Sequence, residues 1–141
     1  MLLDDVKDPG NLGTIIRTAD WFGISQIICS PESVEMYNPK VVQASMGAIF
    51  RMNVMYGALE GALLELIDAG FSTYGADMDG TNALEVKLPA KTALVMGSES
   101  HGLSEGIKSK VEALTIPKFG ESESLNVAMA AGILMSVYKS N

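Results

Sequence analysis

At 141 residues, 48% hydrophobic and 19% charged, the chain has the size and composition of one folded domain with a single substantial core, not of a disordered segment. Its formal net charge of −7 argues against tight binding to RNA or DNA by this chain alone, while leaving room for a local basic patch or a separate binding domain. Cys29, the only cysteine, excludes an internal disulfide framework and suits a reducing, cytoplasmic setting; no run is long and apolar enough to span a membrane, and no signal pattern opens the chain.

Leu2–Val6 reads as a strand already under way at the first residue, which raises the expectation that something precedes it. The turn Asp8-Pro9-Gly10-Asn11-Leu12-Gly13 then feeds a helix predicted over Leu12–Phe22. Leu12, Ile15, Ile16, Ala19 and Phe22 share one apolar stripe of that helix, and Arg17 points away from it. A strand at Gln26–Cys29, a short helix at Lys40–Met46 and a strand at Asn53–Tyr56 follow. A helix at Ala58–Ala69 and a strand at Ser72–Ala76 lead to an expected loop over Asp77–Lys87. Beyond it come a strand at Ala93–Gly97, a short helix near Leu103–Ser109, a strand at Ala113–Ile116 and a last helix over Leu125–Tyr138. This alternation specifies an α/β fold with a mainly parallel sheet. The last helix is apolar almost all round, so its expected burial is against the sheet on one side and a second subunit on the other, or else in a monomer core.

Three strand-to-loop junctions carry chemistry-bearing residues. Taken alone, Arg17 is a surface cation on an amphipathic helix. Met96-Gly97-Ser98-Glu99 through Gly102 leaves the end of an apolar strand, where open α/β sheets bind ligands, and its bland reading is a glycine turn with Ser104 as a helix cap. In Ile116–Val127, Ser122 and Ser124 suit N-cap positions, whereas Asn126 at the start of a buried helix needs partners for its amide. No dinucleotide fingerprint, P-loop or metal-ligand spacing is present. His101 is the sole histidine, and its polar loop favours solvent exposure over catalysis.

In order and spacing, Asn11-x-Gly13-x-x-x-Arg17, Gly97-x-Glu99-x-x-Gly102 and Ile116-Pro117 with Ser124-Leu125-Asn126-Val127 resemble the three motifs of the SpoU/TrmH-like RNA 2′-O-ribose methyltransferases of the SPOUT class. Asn38-Pro39-Lys40-Val41-Val42 and Ala44-Ser45-Met46-Gly47-Ala48 are similar to that family's intermediate segment, so the resemblance covers the whole chain. It implies a parallel sheet with a deep C-terminal trefoil knot, a homodimer, and S-adenosylmethionine held among the knotted loops. Carried over by position, Met96, Gly97, Ile116, Ser124 and Leu125 would hold the cofactor, and Asn11, Arg17, Glu99, Ser124 and Asn126 would surround the reacting ribose. The implied partner is tRNA or rRNA, with no DNA and no membrane. Residues 1–141 would be the catalytic domain, with an N-terminal RNA-recognition domain absent or removed.

The implied reaction moves a methyl group from a sulfonium to a ribose hydroxyl, a weak nucleophile until its proton is withdrawn or its incipient oxyanion stabilised. A guanidinium is almost never deprotonated, so Arg17 is read as holding a phosphate and stabilising the alkoxide while another group takes the proton. The rival reading is a dimeric S-adenosylmethionine-binding domain inactive on RNA without a separate recognition domain. Ser98-Glu99-Ser100 and Lys118-Phe119 depart from the family pattern, at positions that bear on the RNA pocket.

Overall fold

The computed structural model describes residues 1–141 as a six-stranded parallel sheet in the order β3-β2-β1-β5-β4-β6. The strands are β1 (Leu2–Leu3), β2 (Gln26–Cys29), β3 (Asn53–Tyr56), β4 (Ser72–Asn82), β5 (Thr92–Met96) and β6 (Glu112–Thr115). The helices are α1 (Pro9–Trp21), α2 (Pro39–Ser45), α3 (Leu59–Asp68), α4 (Glu105–Lys108) and α5 (Val127–Ser140), with a 3₁₀ turn at Ala48–Phe50.

Both faces of the sheet are covered, which is why its central strands are continuously apolar rather than alternating. Leu3, Leu94 and Met96 point into the larger core with Leu12, Ile15 and Ile16 of α1 and Ala131, Leu134 and Met135 of α5. Leu2, Ala93 and Val95 point the other way, onto Leu59 and Leu63 of α3 and Ile107 of α4. Alternate residues of a strand serve opposite layers.

Two expectations need correction. The first strand stops at Leu3 instead of Val6, because Asp5 adopts a left-handed conformation at φ 58° that no strand can continue through. The expected loop over Asp77–Lys87 is partly strand, since β4 runs on to Asn82. Ala76 and Thr81 both register with Leu114 of β6, so Asp77–Gly80 is extruded as a bulge between them. Gly80 permits this closeness, because a Cβ there would lie 2.5 Å from the carbonyl oxygen of Ala113.

Candidate functional site

The chain builds β1, β2 and β3 outward in one direction and β4, β5 and β6 on the other side of β1. The order therefore reverses between β1 and β5, which pair through Leu2 with Val95 and Leu3 with Met96. Crevices outside the carboxyl ends at such a reversal are where open parallel sheets bind ligands. The segments leaving these two strands, Asp4–Asn11 and Gly97–Gly102, consequently emerge side by side.

Each segment is fixed locally. Asp8 caps α1, its carboxylate accepting the Asn11 backbone N–H at 2.8 Å with Pro9 in the first turn. Ser98 and Gly102 exchange backbone hydrogen bonds of 3.0 and 2.9 Å, closing the loop after β5. Gly97 packs so tightly beneath it that a Cβ would fall 2.2 Å from the Gly102 carbonyl carbon. The carboxylate of buried Asp4 accepts the Ser104 N–H at 2.7 Å, tying the exit of β1 to the start of α4.

The third segment arrives from β6. Asn126, rather than Ser122 or Ser124, caps α5: its Oδ1 accepts the backbone N–H groups of Ala128 and Met129 at 2.9 and 3.2 Å. Ser104 precedes α4 without a side-chain capping bond, in contrast to its expected role. Asn126 is exposed, and its amide is satisfied without burial because Nδ2 donates to Asn11 Oδ1 at 2.9 Å. Asn11 Nδ2 in turn donates to Glu99 Oε1 at 2.7 Å. Residues 11, 99 and 126, one from each motif, thus form a single hydrogen-bonded chain.

Beside that chain lies a cleft of about 560 Å³, lined among others by Met96, Gly97, Glu99, Ile116, Ser124 and Leu125. Six of the nine residues singled out in the sequence share this wall. Asn11 and Asn126 do not line it but join it through Glu99. Arg17 stands apart: it is exposed on α1, outside the cleft lining, and forms no salt bridge within this chain.

The cleft also uses two residues of the expected loop and one of the expected short helix, none of them among the candidate site residues. Asp77 and Met78 reach it from the β4 bulge, and Lys108 from α4. Lys108 Nζ lies 3.1 Å from Asp77 Oδ2. Partial burial acts to raise the Asp77 carboxyl, but the Lys108 ammonium and the Asp79 N–H outweigh it and hold the group below its ordinary value. The positional signal was available, since this loop also follows the carboxyl end of a strand. Cys29 plays no part: burial pushes its thiol up to about 12 and leaves it an inert core residue.

The model of the SpoU rRNA methylase family matches residues 1–136. The chain belongs to this family. Over 137 residues it is 35% identical to the 23S rRNA (guanosine(2553)-2′-O)-methyltransferase RlmP of Bacillus subtilis, covering 96% of this chain and 55% of that one. An AdoMet-bound rRNA methyltransferase from Sinorhizobium meliloti superposes with a TM-score of 0.92 at 32% identity, over 99% of this chain and 54% of the other. The SpoU methyltransferase AviRb from Streptomyces viridochromogenes, in complex with AdoMet, gives 0.90 at 28% identity, over 99% and 56%. This SpoU-family chain thus spans about half the length of each of these relatives.

Proposed function

We propose that this chain is the catalytic domain of an S-adenosylmethionine-dependent RNA 2′-O-ribose methyltransferase. The observation that carries the reading is the Glu99–Asn11–Asn126 chain, which gathers all three motifs at one cleft. The cleft has a volume suited to a nucleoside-sized cofactor, apolar walls from Met96, Ile116 and Leu125, and a glycine floor that brings backbone groups within reach. Those features fit S-adenosylmethionine, with Met96, Gly97, Ile116, Ser124 and Leu125 as the holding residues. The bound cofactor supplies an electrophilic methyl group on a sulfonium.

The protein's share is positioning and charge. Asn11 fixes Glu99, so the carboxylate presents Oε2 to a substrate hydroxyl or cation while Oε1 stays engaged. Ser124 is exposed on the cleft wall and free to hydrogen-bond the ribose. Arg17 has a planar donor fork uncommitted to any carboxylate of this chain, which suits an RNA phosphate.

Arg17's exposure outside its own cleft lining agrees with a homodimer, as does the surface of α5. Only one side of that helix is buried, by Val127, Ala128, Ala131, Leu134 and Met135, while Met129 is 60% exposed. Trp21 and Phe50 are each 84% exposed as well. Large exposed apolar side chains of this kind fit burial against a second subunit. Met129→Asp is expected to convert the dimer to monomer in sedimentation velocity; an unchanged dimer would remove α5 from the interface. The C-terminal return from edge strand β6 to α5, which packs on central α1 and β5, is consistent with the trefoil knot that the family resemblance implies.

Two assays test the reading. Calorimetry should give saturable S-adenosylmethionine binding, and no detectable heat would defeat it. Labelled methyl transfer to in-vitro-transcribed tRNA and rRNA should follow. The net charge of −7 supports the second reading, a domain that binds the cofactor but needs a recognition domain in trans to methylate RNA. Supplying that domain separates the two.

A further inference from the structure

We infer that His101 accepts the proton of the ribose hydroxyl, an inference that rests on the methyl-transfer reading above. The chain has a single histidine, and it lines the same cleft as Glu99. It is carried by the closed loop between Ser98 and Gly102, one residue before a glycine at φ 68°, so its backbone is fixed from both ends. His101 Nδ1 lies 2.7 Å from Ser100 Oγ, which lies 3.0 Å from Oγ of buried Ser98. Ser98 Oγ also accepts the Ser100 backbone N–H at 3.3 Å.

This arrangement assigns a role to each ring nitrogen. Nδ1 is occupied by Ser100, so Nε2 alone is left to meet a substrate. With its hydrogen on Nδ1, the ring donates to Ser100 Oγ, the Ser100 hydroxyl donates on to Ser98 Oγ, and Nε2 presents a lone pair. A base whose far nitrogen is held by a second group is the general pattern for activating a hydroxyl nucleophile.

The other charged groups lining the cleft suit the task less well: Asp77, Glu99, Lys108, Lys118 and Glu123. Asp77 is paired with Lys108 at 3.1 Å, and Glu99 has Oε1 engaged by Asn11 at 2.7 Å. Carboxylates are weak bases at neutral pH, ammonium groups carry no free pair, and imidazole is matched to that range. In the step itself, the hydroxyl oxygen bonds to the methyl carbon as the carbon–sulfur bond breaks. The bonding pair stays with sulfur, and the hydroxyl proton ends on Nε2. Because His101 is exposed, the imidazolium then releases that proton to water.

The test begins with wild-type protein active on transcribed RNA, with its recognition domain supplied where needed. His101→Ala should lower kcat by about 10²- to 10⁴-fold, abolish the acid limb of its pH profile and leave S-adenosylmethionine affinity within about threefold. Imidazole in the buffer should restore part of the rate, and His101→Gln should be as slow as His101→Ala. Proton NMR provides a readout independent of turnover, because one histidine gives one assignable ring: its titration should shift when RNA is added with S-adenosylhomocysteine. A His101→Ala rate within about threefold of wild type, a loss that imidazole does not rescue, or a ring titration indifferent to RNA would overturn the inference. Wild type that binds no S-adenosylmethionine would defeat the underlying function, whereas active wild type with an equally active His101→Ala variant defeats the role of His101 alone.

Discussion

Adding one methyl group at Gly97 takes away no hydrogen-bonding group and no charge, yet the geometry leaves no room for it. The new Cβ would lie 2.2 Å from the Gly102 carbonyl carbon, 2.4 Å from the Leu103 nitrogen and 2.5 Å from the Gly102 oxygen. All three are backbone atoms, so no side-chain rotation relieves the overlap. The loop must lift, breaking the paired Ser98–Gly102 bonds and displacing Glu99 from Asn11. Overpacking of this kind costs about 1–3 kcal/mol, which corresponds to a fall in Tm of roughly 4–10 °C for a domain of this size. Calorimetry should show S-adenosylmethionine affinity reduced at least about tenfold, the equivalent of about 1.4 kcal/mol. Gly61→Ala is the matched control, because nothing lies within 4 Å of its Cβ position in α3. There the same methyl group should stabilise by about 0.5–1 kcal/mol and leave binding unchanged. A Gly97→Ala protein with wild-type Tm and affinity would refute the claim that the loop is closed against the end of β5.

Asn11→Ala severs both links of the polar chain; two exposed hydrogen bonds are worth about 1–2 kcal/mol together, so chemical denaturation should show a modest loss. Methyl transfer should fall about 10²-fold or more with cofactor affinity nearly intact, and an equal loss of both would mean that Asn11 serves only folding. Arg17→Lys keeps the charge but not the planar fork, and is expected to lower transfer about tenfold or more; near-wild-type activity would contradict a two-pronged phosphate contact. The Asp77 carboxyl is depressed in the folded state, so its contribution is present above its unfolded value, near 3.8, and is lost as pH falls through the lower folded value. Because the pair with Lys108 is partly exposed, that contribution is at most about 1 kcal/mol. Asp77→Asn should flatten the acid side of the Tm-against-pH curve below about pH 4, and an unchanged curve would assign the acid sensitivity elsewhere.

Most of the scaffold was legible because hydrophobic period and turn chemistry agreed. Gln26–Cys29 and Asn53–Tyr56 have the expected bounds, and Leu12, Ile15, Ile16 and Ala19 are wholly buried along the anticipated stripe. Asp77–Asn82 was missed because its acidic and glycine residues carry turn chemistry, whereas its pairing to β6 is a long-range contact that local pattern does not report. The cleft wall lies along the second and third motifs, with the first joined to it through Asn11 and Glu99, but these polar connections were not legible. Asn126 was expected to be buried, and only the fold reveals that an exposed amide is occupied by Asn11, 115 residues away. His101 is exposed, as its polar loop led one to expect, whereas its 2.7 Å contact with Ser100 Oγ is a matter of loop conformation that residue identities do not disclose.

The polar chain across the three loops has a direction. The Ala128 N–H points to Asn126, the Asn126 amide to Asn11, and the Asn11 amide to Glu99, so every donor faces the same way. Aligned dipoles of this kind reinforce one another, and they begin at the electropositive start of α5. The negative charge of Glu99 is therefore felt through two amides at the first turn of the last helix. Neutralising that carboxylate is expected to loosen the seating of α5 as well as alter the cleft.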